Sequence, residues 1–255
     1  MAHTDLCNWI FPPKDPRLFE DEVHVWCASL DLPSSDVSSL GEFLDSGELE
    51  RAAFFHFKAD RDRYIARHGL LRAILGRYLD LVPERLRFVC NAFGKPTLAP
   101  GFAQDEMRFN LSCSNGLALF AFARGREIGV DVERVRADVE IDEIARRFFS
   151  SAEYIALNVL PPKKAIRAFY NCWTRKEAYI KARGEGLLMP LDQFTVSMMP
   201  DEPPRLLDAP NDSKEVERWA LCHLEPAPGY IAALAVEGQG WQLRCWRGDG
   251  WAGIG

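Results

Sequence analysis

The sequence predicts an α+β fold, because long helical stretches and short apolar strands are mixed along it. Residues 48–81 and 165–183 have the pattern of long helices, and shorter apolar runs are typical of strands. The two kinds of segment do not alternate regularly, as they would in a doubly wound parallel sheet. The chain has 255 residues, which is enough for one large domain or two small ones.

In the first half of the chain, local patterns predict each element in turn. Residues 22–30 alternate apolar and polar side chains as a strand does, and the Ser-rich residues 34–47 predict a loop with a short helix. The Asn, Gly and Pro of residues 91–96 predict a turn. Further strands are predicted at residues 86–90, 107–112 and 117–123.

The long helix predicted at residues 48–81 is basic, although the protein as a whole is acidic. Its arginines are Arg51, Arg61, Arg63, Arg67, Arg72 and Arg77. Two interpretations stay open for these side chains: a solvated helix face, or the rim of a phosphate-binding site.

In the second half, two local signals set the ends of helices. Ser150 and Glu153 fit a capping box, in which each residue satisfies a backbone N–H of the other, so a helix is predicted to begin there. The central helix, residues 165–183, is predicted to end at Gly184 and Gly186, because glycine readily adopts the left-handed conformation that stops a helix.

The remaining segments of the second half are predicted as strands around one loop. Residues 200–212 contain four prolines and predict a surface loop. Strands are predicted at residues 127–132, 194–199, 218–224, 230–236 and 242–246. Their order along the chain indicates an antiparallel sheet.

Composition narrows the class of protein. A net charge of −6 argues against a general nucleic-acid binder. No apolar run approaches the roughly 18 to 20 residues that span a bilayer. The first residues also lack the basic region and apolar run of a secretory signal. We therefore expect a cytoplasmic protein that binds neither nucleic acid nor membrane.

The cysteines are scattered and odd in number, and none forms a CxxC pair. They are Cys7, Cys27, Cys90, Cys113, Cys172, Cys222 and Cys245. We expect free, buried thiols in a reducing compartment. The spacing does not favour a zinc site.

Three carboxylates are the candidate metal ligands. Asp131 and Glu133 are two residues apart on a predicted strand, so both point to one face of it. Hard oxygen ligands of this kind suit magnesium, and Glu177 on the central helix can add a third. Glu177 and Lys181 also share one helix face. The alternatives are a solvated strand end and an ordinary helix salt bridge.

Four short motifs occur in order between about residues 94 and 187. They are GKP at residues 94–96, FNLSCS at residues 109–114, GVDVE at residues 129–133 and WTRKEAYIKARGEGL at residues 173–187. Together they resemble the signature of the 4′-phosphopantetheinyl transferases, in particular the larger, pseudo-dimeric kind that modifies carrier proteins. The sequence after about residue 200 carries no motif of this family.

The resemblance implies an architecture of two similar halves related by a pseudo-twofold axis. Each half would be a small, mainly antiparallel sheet packed with a long helix, joined near residues 124–128. Residues 1–125 would contact the nucleotide of coenzyme A, and residues 126–255 would carry the metal and catalytic residues. A monomer would then be sufficient.

The resemblance also implies a reaction, the magnesium-dependent transfer of 4′-phosphopantetheine from coenzyme A to a serine of an apo acyl, peptidyl or polyketide carrier protein. The expected metal ligands are Asp131, Glu133 and Glu177, and the expected catalytic residues are Asp131, Glu177 and Lys181. Glu177 would act as general base and Lys181 would stabilise the departing 3′,5′-ADP. The expected coenzyme A contacts are Arg51, Lys95, Asn110, Ser112, Cys113 and Lys181. The apolar residues 187–190 would receive a helix of the carrier protein.

One departure from the family pattern is Cys113, which stands where the family usually has histidine. A neutral thiol is a poor donor and carries no positive charge. We expect either weaker affinity for coenzyme A or a nearby arginine in the place of that histidine. The departure motivates an alternative function, a non-catalytic module that binds coenzyme A or a carrier protein. A third hypothesis is another magnesium-dependent phosphotransferase or phosphohydrolase, although no P-loop supports it.

Overall fold

A computed structural model describes residues 7–102, 106–186, 189–209 and 214–248. The helices are α1 (Ser34–Gly41), α2 (Ser46–Ala53), α3 (Lys58–Leu79), α4 (Ile141–Phe148), α5 (Ser151–Asn158), α6 (Pro162–Arg183) and α7 (Glu215–Arg218). The strands are β1 (Trp9–Ile10), β2 (Glu22–Ser29), β3 (Phe88–Cys90), β4 (Pro96–Leu98), β5 (Met107–Ser114), β6 (Leu117–Arg124), β7 (Ile128–Arg134), β8 (Thr195–Val196), β9 (Leu206–Asp208), β10 (Trp219–Leu224), β11 (Tyr230–Glu237) and β12 (Gln242–Arg247). The mixture confirms the predicted α+β class.

The strands form two main sheets and two small hairpins. The first sheet has the order β1-β12-β2-β6-β5 and the second has the order β10-β11-β7. The pairs β3-β4 and β8-β9 are separate two-stranded sheets. β12 is parallel to β2, and β1 is parallel to β12, while the other pairs are antiparallel. The strand predicted at residues 242–246 therefore exists, but the expectation that it belongs to the sheet of the second half is wrong.

The two main sheets pack face to face between the two long helices. Leu70 and Ile74 of α3 cluster with Trp26, Phe120 and Phe122 on the outer face of the first sheet. The inner faces of the two sheets form a second apolar cluster, which includes Val25, Leu119, Val130, Val132 and Leu234. A third cluster joins α6 to the outer face of the second sheet. Each sheet is thus covered on both sides, which suits the near-continuous apolar run of β6.

The order of elements repeats along the chain, in agreement with the expectation of two similar halves. Each half has a strand, two short helices, a long helix of 22 residues, a small hairpin and a further pair of strands, β5 and β6 in the first half and β10 and β11 in the second. β6 lies between β2 and β5, and β11 likewise lies between β7 and β10. The division into residues 1–125 and 126–255 stays a prediction, and β12 crosses it to reach the first sheet.

A buried ion pair repeats along with the elements. In the second half, Lys176 of α6 binds Glu153 at 2.8 Å, with side-chain exposures of 0% and 2%. The Lys176 ammonium also donates to the carbonyls of Leu191 and Phe194, both at 2.6 Å. Glu153 closes the predicted capping box with Ser150. One buried carboxylate therefore joins α5, α6 and the segment that follows α6.

In the first half, Arg72 of α3 occupies the equivalent position. It is fully buried and binds Glu48 at 2.8 Å, and Glu48 closes a capping box with Asp45. Its guanidinium also donates to the carbonyls of Pro83 and Leu86, at 3.2 and 3.0 Å. Arg72 and Lys176 each lie fourteen residues after the first residue of their helices. Neither interpretation offered for the arginines of this region describes Arg72, which is a core residue.

The prediction of one helix over residues 48–81 is wrong. The capping box starts α2, which ends at Ala53, and α3 begins only at Lys58. Phe57 between them has extended backbone angles. Aromatic residues are weak helix formers, so the run of Phe and His between α2 and α3 does not continue the helix. Arg51 consequently lies on α2 and not at the start of the long helix.

The expectation of seven free, buried thiols is also wrong in part. Cys7 and Cys245 form a disulfide, because β1 runs beside β12 and brings their Cα atoms to 6.1 Å. Of the five free cysteines, Cys90 and Cys113 are exposed. In the part of the chain that the structure describes, no helix combines the length and apolarity needed to cross a membrane.

Replacing Glu153 by Gln should lower the free energy of unfolding by about 3 to 5 kcal/mol, because Lys176 would stay buried without its carboxylate. Glutamine can still close the capping box, so helix α5 should still start at the same residue. The measurement is urea denaturation at pH 7. Asp138→Asn, which removes an exposed ion pair with Arg136, is the matched control and should change the midpoint far less. Equal effects of the two changes would contradict the role of the buried pair.

Candidate active site

Helix α6 lies directly on strand β7 at Gly129. A Cβ atom added there would overlap the Ala178 carbonyl oxygen and the Ala182 amide nitrogen, and would lie 2.9 Å from the Cα of Ala182. Only glycine allows the two backbones to approach so closely. This contact sets the side chains of α6 beside those that β7 presents after Gly129.

Lys181 of α6 and Asp131 of β7 form the centre of the site. The ammonium of Lys181 lies 2.6 Å from Oδ1 of Asp131, which is nearly fully buried. Ser112 donates to the same oxygen at 2.9 Å, and Lys181 also donates to the Ser112 hydroxyl at 3.1 Å. Oδ2 of Asp131 is buried and has no hydrogen-bond partner among the described residues. The structure thus brings these three predicted residues together and leaves one carboxylate oxygen unused.

Glu133 and Glu177 lie close enough to Asp131 for its charge to change their pKa values. Burial raises the pKa of Glu133, and the negative charge of Asp131 raises it further, while a hydrogen bond from Ser114 at 2.8 Å opposes the shift. Burial and then the charge of Asp131 also raise the pKa of Glu177. Three carboxylates share this site with one ammonium, so it has an excess of negative charge that a cation would relieve.

The chemistry of these side chains fits magnesium. No group of three or more His, Cys, Asp or Glu side chains within the described ranges is arranged to hold a metal by itself. Magnesium, however, is usually held by one or two carboxylates together with substrate phosphates and water. The unused Oδ2 of Asp131 is the kind of hard oxygen that this ion binds. The side chains therefore suit a magnesium ion that completes its coordination with phosphate oxygens.

A cavity of about 440 Å³ opens beside Glu177 and Lys181. Its walls come from the turn between β3 and β4, from β5, and from the last turns of α6. The lining residues are Phe93, Gly94, Lys95, Asn110, Leu111, Glu177, Ile180, Lys181, Gly184 and Gly186. Both halves of the chain thus contribute to a cavity that contains the predicted base.

The polar side chains of the FNLSCS motif join the two sheets. β5 and β7 are edge strands of different sheets, so the outer N–H groups of β7 lack strand partners. Asn110 Oδ1 accepts a hydrogen bond from the Val130 N–H at 2.9 Å, and Ser112 Oγ accepts one from the Val132 N–H at 3.4 Å. Ser114 accepts in the same way from the next alternate N–H, that of Arg134. Alternation along β5 places all three acceptors on one face.

The strand predicted at residues 107–112 is confirmed, and it is longer than predicted. β5 continues to Ser114, because it pairs with β6 as far as Leu117. The turn lies at Asn115 and Gly116, both of which have positive φ angles. Asn110 and Ser112 therefore act from a strand in this structure, and their contact with coenzyme A stays a prediction.

Cys113 points to the opposite face of β5, towards α3. Nη1 of Arg67 lies 3.5 Å from its sulfur. Arg63, Arg67, Tyr64 and Cys113 line a second cavity of about 230 Å³. The arginine expected to take the place of the family histidine therefore has a candidate in Arg67. Residue type alone does not separate Arg67 from the other arginines of this region.

Arg51 and Lys95 are placed less simply than predicted. Arg51 lies on α2 and does not itself line the cavity beside Cys113, but it interacts with Tyr64, which does. The ammonium of Lys95 is already bound by Glu127 Oε2, at 3.0 Å, and by two backbone carbonyls. Its side chain is only 10% exposed, and burial lowers its pKa. A direct contact of either residue with coenzyme A stays a prediction.

The proposed carrier-protein contact at residues 187–190 falls partly outside the described residues. Residues 187 and 188 are not among them, while Met189 is buried and Pro190 is exposed.

The structure thus combines two packed sheets with a carboxylate–lysine site between α6 and β7. A sequence model of the 4′-phosphopantetheinyl transferase superfamily matches residues 127–235. The 4′-phosphopantetheinyl transferase HetI of Nostoc sp. (strain PCC 7120) is 40% identical over 246 residues, which cover 96% of this chain and 99% of HetI. The chain belongs to the 4′-phosphopantetheinyl transferase superfamily.

Two further comparisons are more distant. The 4′-phosphopantetheinyl transferase Sfp of Bacillus subtilis (strain 168) is 32% identical over 159 residues, covering 62% of this chain and 68% of Sfp. The crystal structure of Thermotoga maritima holo-[acyl-carrier-protein] synthase aligns with 44% of this chain and 63% of its own, at 19% identity and a TM-score of 0.35. This last likeness is too partial to add to the assignment.

Replacing Glu177 by Gln should stabilise the protein at neutral pH in the absence of metal and coenzyme A. Folding raises the pKa of Glu177 above its ordinary value of 4.5, so the folded protein binds the proton of the Glu177 carboxyl more tightly than the unfolded chain does. Stability therefore falls as the pH rises from 4.5 through the raised pKa, and the loss is complete above it. Glutamine cannot ionise and removes this loss.

Urea midpoints measured in EDTA between pH 4 and pH 8 would test this expectation. The Glu177→Gln midpoint should exceed that of the wild type at pH 8 and approach it at pH 4. Glu50→Gln, on an exposed position of α2, is the control and should follow the wild-type curve. A Glu177→Gln curve that runs parallel to the wild-type curve would contradict the raised pKa.

Proposed function

We propose that this protein transfers the 4′-phosphopantetheine group of coenzyme A to the serine hydroxyl of an apo carrier protein and releases 3′,5′-ADP. The observation that carries the proposal is the joint position of Lys181, Asp131 and Ser112, with Glu177 beside the same carboxylate. The chain belongs to a superfamily of transferases, and HetI and Sfp are both named 4′-phosphopantetheinyl transferases.

Asp131, Glu133 and Glu177 would hold a magnesium ion in this reaction. When bound, the ion would neutralise the charge of the pyrophosphate of coenzyme A. The excess of carboxylates over cations at this site supports the proposal, as does the unused oxygen of Asp131.

Glu177 is the proposed general base. The serine oxygen would attack the β-phosphorus of coenzyme A, and the bond from that phosphorus to the bridging oxygen of 3′,5′-ADP would break. The serine proton would pass to Glu177 directly or through one water. A carboxylate within reach of the attacking hydroxyl, directly or through one water, can accept this proton.

Lys181 would stabilise the leaving phosphate of 3′,5′-ADP. The side chain of Lys181 is 29% exposed, and it contacts Asp131 and lines the cavity that contains Glu177. Charge that develops on the leaving oxygen is best stabilised by a donor already in place. Asp131 and Ser112 hold this donor before substrate binds.

The nucleotide of coenzyme A would lie against β5 and the first half of the chain. The proposed contacts are Arg51, Asn110, Ser112 and Cys113, and Arg67 is added because it lies against Cys113. Lys95 is left out of this set, because Glu127 and two backbone carbonyls already bind its ammonium. A guanidinium binds phosphate oxygens through two parallel hydrogen bonds, which a thiol cannot do. A single chain with two halves would be sufficient for activity, and we propose that it works as a monomer in the cytoplasm.

Intact-protein mass spectrometry of an apo carrier protein tests the proposed reaction. The carrier should gain one phosphopantetheinyl group when incubated with this protein, coenzyme A and magnesium, and should gain none in EDTA. A carrier with its acceptor serine replaced by Ala is the control. No gain with acyl, peptidyl and polyketide carriers alike, despite measurable coenzyme A binding, would instead support the binding-module alternative.

Asp131→Ala and Glu177→Ala serve as catalytic controls in the same assay. Both should abolish transfer while the protein stays folded by circular dichroism. Full activity of either variant would contradict the assignment of the metal and base.

A further inference from the structure

The turn between β3 and β4 covers the C-terminal end of α6. Asn91 donates from Nδ2 to the Gly184 carbonyl at 2.8 Å, and Lys95 donates from Nζ to the Ala182 carbonyl at 3.0 Å. The last carbonyls of a helix have no partner within the helix. The first half of the chain thus supplies hydrogen-bond donors to the end of the catalytic helix of the second half.

Asn91 also holds the turn that reaches the helix. Its Oδ1 accepts hydrogen bonds from the Phe93 and Lys95 N–H groups, both at 2.9 Å. Its backbone N–H donates to the Lys95 carbonyl at 3.0 Å, and Gly94 donates to the Asn91 carbonyl at 3.0 Å. One side chain therefore fixes the turn with its oxygen and binds α6 with its nitrogen.

Lys95 extends the contact to the start of β7. Its ammonium donates to the Ile128 carbonyl at 3.2 Å and forms an ion pair with Glu127 at 3.0 Å. A cation at a helix C-terminus also interacts favourably with the helix dipole. We name the hydrogen-bonded contact of Asn91 and Lys95 with α6 and β7 the helix-end clamp.

The helix-end clamp is tight because of two glycines. Gly184 and Gly186 have φ angles of 69° and 60°, which favour glycine. A Cβ added at Gly184 would lie 3.2 Å from Lys95 Cδ, and one at Gly186 would lie 3.3 Å from Phe93 Cβ. The glycines predicted only to end the helix therefore also leave room for the turn to pack on it.

The clamp forms one wall of the cavity that contains the proposed catalytic residues. Phe93, Gly94 and Lys95 lie on this wall, while Glu177 and Lys181 come from α6. Lys181 is three residues, less than one turn, before Gly184. A shift of the helix end would consequently move the Lys181 backbone relative to Asp131 and the rest of the site.

We infer that Asn91 is a positioning residue for the transfer reaction, which acts through the Gly184 carbonyl to hold the last turn of α6 in place. Lys95 belongs to the same clamp, acting on α6 and β7 instead of on a phosphate of coenzyme A. The inference rests on the proposed function, because its consequence is the position of Glu177 and Lys181 during transfer.

Asn91→Asp isolates the bond to the helix. Aspartate keeps an oxygen for the Phe93 and Lys95 N–H groups but removes the donor to Gly184 and places a negative charge beside the helix carbonyls. Thr97→Ala is the matched control, since Thr97 lies in the same hairpin and its hydroxyl donates to the Val89 carbonyl at 3.3 Å. In the folded Asn91→Asp variant, kcat should fall by about tenfold or more, because small displacements of catalytic groups are costly.

Affinity for 3′,5′-ADP separates positioning from direct binding. Its Kd should stay within about twofold of the wild type in Asn91→Asp and in Lys95→Met, whereas kcat falls in both. The losses in the double variant should be smaller than the product of the single losses, because both residues act on one helix end. Thr97→Ala should match the wild type in both quantities.

Several outcomes would overturn the inference. A Lys95→Met variant that weakens 3′,5′-ADP binding about tenfold, beside a silent Asn91→Asp, would make Lys95 a nucleotide contact. Wild-type kcat in folded Asn91→Asp would remove the positioning role. Failure of Asn91→Asp to fold, under conditions in which Thr97→Ala folds, would reduce Asn91 to a structural residue. The wild type is assayed before the variants. Absence of transfer by the wild type would refute the proposed function itself, separately from the role of Asn91.

Discussion

The close packing of α6 on β7 at Gly129 is the constraint on which the site depends. Because no Cβ separates the two backbones, Lys181 can reach Asp131 at 2.6 Å, and Glu177 lies within the field of the same carboxylate. Three carboxylates then share a partly buried volume with one ammonium. Their mutual repulsion destabilises the unliganded protein, and the cation of the proposed reaction would relieve this repulsion.

The repeated architecture shows at which position the two halves differ in this centre. Arg72 and Lys176 occupy equivalent positions in the two long helices and make equivalent buried contacts. In the same register, Ala73 of α3 corresponds to Glu177 of α6, so the first half has no carboxylate at that position. The first half instead supplies supports for the second: the acceptors of β5 for the edge of β7, and the helix-end clamp for α6.

The sequence predicted the α+β class, the capping box at Ser150 and the carboxylates of the site, because each has a local signal in residue type and spacing. It did not predict the parallel pairing of β12 with β2, since strands so distant along the chain leave no local pattern. The helix-like pattern of residues 48–81 likewise predicted one helix where the structure has α2 and α3. The expected contact of Lys95 with coenzyme A came from the resemblance to the family. The tertiary partners of Lys95, which are backbone carbonyls of α6 and β7, have no signature in sequence.

The rate of carrier-protein modification by a Gly129→Ala variant tests the central claim most directly. The added Cβ cannot be accommodated without moving α6 away from β7. We expect a folded protein whose rate of transfer falls by about a hundredfold or more, because Lys181 and Glu177 move away from Asp131 together. Gly41→Ala, where the nearest atom to the new Cβ is 3.5 Å away, should keep the wild-type rate. Transfer by Gly129→Ala at the wild-type rate would contradict the account.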